Sequence, residues 1–106
     1  MKTSVVLLGL LSVCSATSVL AQSGEDLLKK NNCMPACHAI DKKVVGPAYQ
    51  DVAQKYRGDA TAAAKLQEKV KKGGSGVWGP VPMPPNTQVS DADIKAMVTY
   101  ILALKK

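Results

Sequence analysis

Cys33-Met34-Pro35-Ala36-Cys37-His38 decides how the rest of the chain is read. The one histidine and two of the three cysteines fall within this single run, and clustering of that kind has few chemical explanations. A zinc site needs a full set of protein ligands, or one fewer and a water. No Cys or His outside the run except Cys14 could help complete it, which leaves only carboxylates. A thioredoxin-like dithiol belongs in a strand-and-helix setting, and no alternating strand pattern appears in the sequence. A plain disulfide would close a very small loop and leave His38 without a role.

Two thiols that add across the vinyl groups of a haem, followed at once by an imidazole that ligates its iron, form the attachment pattern C-x-x-C-H. This pattern employs all three side chains, because Cys33 and Cys37 hold the haem and His38 binds the iron. Here the spacing is C-x-x-x-C-H, and Pro35 has no N–H for a helical hydrogen bond, so the segment is predicted to bulge. Two cysteines four apart still lie on one side of a turn. Four helical steps overshoot a full circle by about 40°, whereas three fall short by about 60°. Attachment through both thiols is expected, with attachment by Cys37 alone as the alternative.

Outward from this run the sequence reads as helices and loops. Ser23, three residues before Asp26, can cap a short helix whose buried edge is Leu27 and Leu28 and which stops near Asn31-Asn32. Val45-Gly46-Pro47-Ala48 reads as an extended loop, followed from Tyr49 by a short helix with Val52 and Tyr56 facing inward and Gly58 at its end. Asp59 is placed to cap a third helix with Ala63, Leu66 and Val70 on one face, ended by Gly73-Gly74 after Lys71 and Lys72. Ser90 and Asp93 have the spacing of a capping box. The helix they open has Ile94, Met97, Val98, Ile101 and Leu102 on one buried face.

Between these helices, Gly76-Val77-Trp78-Gly79-Pro80-Val81-Pro82-Met83-Pro84-Pro85 can form neither helix nor central strand. An iron that exchanges electrons without binding substrate needs a second axial ligand, and methionine sulfur is a known one. Met34 and Met97 read as packing residues. Met83 lies between two prolines that restrict its backbone to extended geometry, so it is the expected ligand.

The ends and the composition agree with this reading. Met1-Lys2, an apolar run from Val5 to Val13 and the small residues up to Ala21 read as a secretory signal peptide over 1–21, leaving one domain at 22–106. Ser12, Ser15, Thr17 and Ser18 interrupt the run too often for a spanning helix, and Val13 before Cys14 is too bulky for lipid attachment there. A domain this small buries little core of its own. With no Phe and one Trp, it would gain core from a large apolar cofactor. The chain carries 14 Lys and Arg against 8 Asp and Glu, a net charge of +6. The lysines come in pairs at Lys29-Lys30, Lys42-Lys43, Lys71-Lys72 and Lys105-Lys106. Any one pair is an ordinary solvated surface, but together they suit fast, weak encounters with acidic partners.

Three stretches together carry a family resemblance: the attachment run continuing into Ala39-Ile40, then Val45-Gly46-Pro47-Ala48-Tyr49, then Gly76 to Asn86. The sequence resembles the short class I cytochromes c that serve as periplasmic electron carriers in proteobacteria, over nearly all of 22–106. The resemblance implies an all-α fold of about four helices with long loops around one covalently attached haem c. It implies His38 and Met83 as axial ligands and the Pro47 carbonyl as acceptor for the other ring N–H of His38. Trp78 would donate to a haem propionate and Asn86 would orient Met83, roles that fit the general need to orient and tune metal ligands. The implied function is one-electron carriage between larger respiratory redox proteins, without catalysis. The chain is expected to work as a monomer, away from nucleic acid and without stable membrane insertion. The rival readings are a haem enzyme or gas sensor that leaves Met83 unbound, and a haem-free secreted interaction domain.

Overall fold

The computed structural model describes residues 23–105 together with Gly9. The proposed leader lies outside the described residues apart from Gly9, as does Lys106. Four helices follow one another: α1 Gly24–Lys30, α2 Tyr49–Lys55, α3 Ala62–Lys72 and α4 Asp91–Leu102. Among the described residues the only β pairing is one isolated antiparallel bridge between Gly74 and Met83.

The last helix organises the fold. Ile94, Met97, Val98 and Ile101 recur at helical spacing and are all buried, with Met97 at 0% exposure. Helices α1, α2 and α3 all pack against α4. Leu27 and Leu28 of α1 and Tyr49 and Val52 of α2 join α4 in one apolar cluster, which also takes in Cys33, Met34 and Val89. Complete burial of side chains such as Leu28, Ile94 and Val98 contributes about 1.5–3 kcal/mol each.

Caps explain two helix starts. The Asp26 N–H donates to Ser23 Oγ and the Asp93 N–H to Ser90 Oγ, each at 3.2 Å. The start of α3 differs from expectation. Asp59 does not cap the helix itself; its Oδ1 accepts from the Thr61 N–H at 2.8 Å and from the Thr61 hydroxyl, closing a turn just ahead of the helix. The helix therefore begins at Ala62, and Ala62 is the buried residue while Ala63 is exposed. Leu66 and Val70, four and eight residues on, are half-buried against the core.

The result is a helical frame with two long excursions, 31–48 between α1 and α2 and 73–90 between α3 and α4. All the expected site residues lie on them.

Candidate functional site

The first excursion is bonded to the frame and to itself. The Cys33 N–H donates to Leu28 O at 2.9 Å, which continues the end of α1 into the cysteine run. The His38 N–H donates to Cys33 O at 2.8 Å, across five residues rather than the four of a regular helix. The extra residue thus widens the turn while its first and last members stay joined, in line with the expected bulge. Met34 turns into the core; Pro35 and Ala36 are exposed. Cys33 is buried, Cys37 is half-buried, and both thiols are free.

The stretch 37–40 then lies alongside 45–50. Cys37 O accepts from Gly46 N at 2.7 Å and Val45 N at 3.2 Å, Ala39 O from Tyr49 N at 2.9 Å, and Ile40 O from Gln50 N at 3.0 Å. Within this pairing the His38 Nδ1 meets Pro47 O at 2.8 Å. A carbonyl only accepts, so the proton sits on Nδ1 and the Nε2 lone pair remains for another partner. The imidazole stacks on Tyr49 with ring centroids 4.6 Å apart and planes 18° from parallel. His38 is only 9% exposed, and burial pulls its pKa below the ordinary imidazole value while the bond to Pro47 partly opposes that shift. Burial pushes the Cys33 thiol up, helped by neighbouring Cys37. Burial also raises the Tyr49 hydroxyl above the phenol range, with smaller contributions from Cys33 and Cys37, so it stays neutral.

The second excursion is held at its start, at Met83 and at Asn86, with a bond inside it from Gly76 N–H to Gly79 O at 2.9 Å. Met83 N–H donates to Gly74 O at 2.8 Å and Gly74 N–H to Met83 O at 3.0 Å, so the methionine backbone is fastened just beyond α3. A Cβ on Gly73, whose φ is +70°, would collide with Met83 O and come within 2.8 Å of Pro85 N; glycine lets the loop pass. Asn86 Nδ2 donates to Val70 O at 3.1 Å and Pro84 O at 3.3 Å, and Asn86 N–H also donates to Val70 O at 3.1 Å. Asn86 therefore holds the main chain next to Met83. Trp78 is 43% exposed, and the Lys55 ammonium lies 5.6 Å from its ring centre and 5.8 Å from that of Tyr56. Val44, Val45, Val77 and Val81 are exposed on the same two excursions.

Among the described residues no group of three or more His, Cys, Asp or Glu gathers to hold a metal ion. Two free thiols, a neutral imidazole with an uncommitted nitrogen and a thioether on a pinned loop suit a covalently bound haem.

A family model described as cytochrome c matches residues 21–105. The chain belongs to the cytochrome c family. It is 58% identical over 85 residues to cytochrome c-552 of Nitrosomonas europaea, covering 80% of this chain and 82% of that protein. It is 48% identical over 101 residues to cytochrome c-551 of Pseudomonas aeruginosa, covering 91% of this chain and 95% of the relative. The crystal structure of wild-type Nitrosomonas europaea cytochrome c552 superposes with a TM-score of 0.73 at 58% identity, covering 76% of this chain and 99% of that one.

This cytochrome is therefore a small all-α electron carrier, not an enzyme, with one covalently attached haem c. The bound haem iron supplies a one-electron couple. The residues themselves point to the cysteines, His38 and Met83 as expected site residues, and the family resemblance adds Pro47, Trp78 and Asn86. Neither marks the stacking partner Tyr49, the close approach of Gly46 to His38, or Lys55. All three become visible only when residues distant in sequence are brought together.

Proposed function

We propose that this cytochrome carries single electrons between larger respiratory redox proteins in the periplasm, as a monomer. Cys33 and Cys37 hold the haem by thioether bonds, and His38 and Met83 are its axial ligands. Pro47 fixes the His38 tautomer, Trp78 donates to a propionate and Asn86 steadies the Met83 loop. The observation that carries this reading is the bond from His38 Nδ1 to Pro47 O, which leaves Nε2 as the ring's available donor atom. The joined ends of the widened turn support double attachment, because the extra residue is absorbed without separating Cys33 from His38.

Export is supported by the N-terminal pattern and by the length of the Pseudomonas aeruginosa match, since 91% of this chain is more than residues 22–106 can supply. No helix among the described residues is long and apolar enough to cross a membrane. The positive charge favours acidic docking surfaces on the partners.

Intact mass after thiol alkylation, together with visible spectra of the reduced protein with and without carbon monoxide, tests the site. The expected result is one haem adduct, no alkylatable thiol in the mature chain and no carbon monoxide spectrum. An alkylatable Cys33 would refute double attachment, and ready carbon monoxide binding by the native protein would refute ligation by Met83.

A further inference from the structure

Gly46 and Tyr49 both bear on the imidazole of His38, in addition to the Pro47 carbonyl. A Cβ on Gly46 would overlap His38 Cε1 and stand only 2.8 Å from Nδ1 and 2.9 Å from Nε2. Real side-chain carbons do not come so close, so any other residue here must displace the ring or the loop. Tyr49 is stacked on the same ring at 4.6 Å between centroids, which leaves no room for a main chain between the two rings. Gly46 therefore meets the imidazole at its Cε1 edge or on the face away from Tyr49, supplying a restraint that the tyrosine does not.

Each part of this arrangement is tied to the backbone around His38. Gly46 N–H donates to the carbonyl of Cys37, and Tyr49 N–H to that of Ala39. The residues on either side of His38 thus hold the residues that touch its ring. The covalent link at Cγ and the Nδ1 bond hold one edge of the ring, which leaves the opposite edge free to swing. The stack with Tyr49 and the close main chain of Gly46 oppose that swing.

We propose that Gly46 and Tyr49 are positioning residues that fix the rotation of the His38 imidazole plane about its bond to the iron. In the oxidised protein they thereby set the imidazole's share in the orientation of the unpaired electron over the haem, beside that of the Met83 thioether. This rests on the reading of His38 as an axial ligand. An imidazole overlaps the iron orbitals in a direction given by its plane, so turning the plane redistributes spin among the haem positions. Tuning through residues that orient a metal ligand is a general property of metal sites.

The test is proton NMR of the oxidised holoprotein, reading the paramagnetic shifts of the four haem methyl groups. Tyr49→Leu removes the stacked ring and keeps an apolar side chain. It is expected to change the order or spread of the methyl shifts, while Tyr49→Phe, which keeps the ring, preserves the native pattern. Gly46→Ala is expected to change the pattern of the holoprotein that forms, and a native pattern there would remove Gly46 from the clamp. Unchanged methyl shifts in Tyr49→Leu would overturn the proposal. The ligand assignment is checked separately in the native protein labelled with 15N-histidine. Strongly shifted ring nitrogens, for the chain's one histidine, are expected. Their absence would remove both the ligand reading and the clamp, whereas shifted nitrogens with an insensitive Tyr49→Leu would remove the clamp alone.

Discussion

The loop that carries His38 and the loop that carries Met83 are built in different ways. Residues 37–40 are bonded almost position by position to 45–50, and His38 is buried among contacts to Gly46, Pro47 and Tyr49. Residues 73–90 are fastened chiefly by the Gly74–Met83 pair and by Asn86, while Val77, Trp78 and Val81 between them are exposed and Met83 is only half-buried. A densely cross-bonded segment opens only with much of the fold, whereas one fastened at fewer points can open locally. The loop of His38 is accordingly expected to be the harder to open and the loop of Met83 the easier.

The largest expected effect tests that asymmetry directly. His38→Ala should abolish accumulation of holoprotein with a native spectrum. Met83→Ala should give a folded holoprotein whose reduced form binds carbon monoxide. Met83→His should fold as well and show a lower midpoint potential, since axial ligands as a group move haem potentials over about 0.8 V. Protein yield, carbon monoxide spectra and redox titration read the three variants. Equal loss of holoprotein in His38→Ala and Met83→Ala would erase the contrast between the loops.

A middle-sized effect is expected from the methionines away from the loop. Met97 is fully buried on α4 and Met34 is buried beside the cysteines. Met97→Ala should destabilise the fold by about 2–5 kcal/mol in denaturant titrations. Met34→Leu and Met97→Leu should each cost under about 1.5 kcal/mol. Both leucine variants should keep the weak charge-transfer band of an iron–thioether bond in the oxidised protein. Loss of the band in either, with retention in Met83→Ala, would move the ligand to another methionine.

Asn86 should have a smaller effect. Its side chain donates to two backbone carbonyls, Val70 O and Pro84 O, and a typical hydrogen bond contributes about 0.5–1.5 kcal/mol net. Asn86→Ala should lower the temperature at which the charge-transfer band fades by more than it lowers global unfolding. Equal shifts in both would mean that the loop does not open separately from the fold.

The same contrast explains what the sequence can and cannot reveal. Helix α4 is legible because Ile94, Met97, Val98 and Ile101 announce their face by local spacing, and Ser90 announces its start. The buried face of helix α3 starts at Ala62, one residue earlier than its spacing suggests, just after the Asp59–Thr61 turn. The expected roles of the attachment run and of Met83 rest on residue type and neighbouring prolines, which are local. The closeness of Gly46 to His38 is not, since it depends on the pairing of 37–40 with 45–50, and no local pattern encodes that pairing. Lys55 over Trp78 is hidden for the same reason, joining α2 to a loop more than twenty residues away.

The smallest expected effect concerns charge, where the two loops again differ. No charged residue occurs between Gly73 and Ser90, whereas the histidine loop carries Lys42 and Lys43 next to Asp41, all exposed, beside the exposed Val44 and Val45. Several other lysines are already engaged: Lys29 with Glu25 at 3.2 Å, Lys72 with Glu68 at 3.0 Å, and Lys71 with Asp91 at 3.3 Å and with Val89 O at 2.8 Å. Steering of an acidic partner should therefore depend more on Lys42 and Lys43 than on Lys29 or Lys72. Reversing Lys42 and Lys43 to Glu should slow bimolecular electron exchange with an acidic partner by up to about tenfold at low salt. The difference should shrink as the Debye length falls from about 10 Å at 0.1 M to about 3 Å at 1 M. Reversing Lys29 and Lys72 also breaks two ion pairs, but exposed pairs of that kind contribute under about 1 kcal/mol, so stopped-flow rates remain comparable between the two double variants. If the Lys29 and Lys72 variant slows exchange as much as the Lys42 and Lys43 variant, the field acts through net charge alone and the histidine loop has no special part in steering.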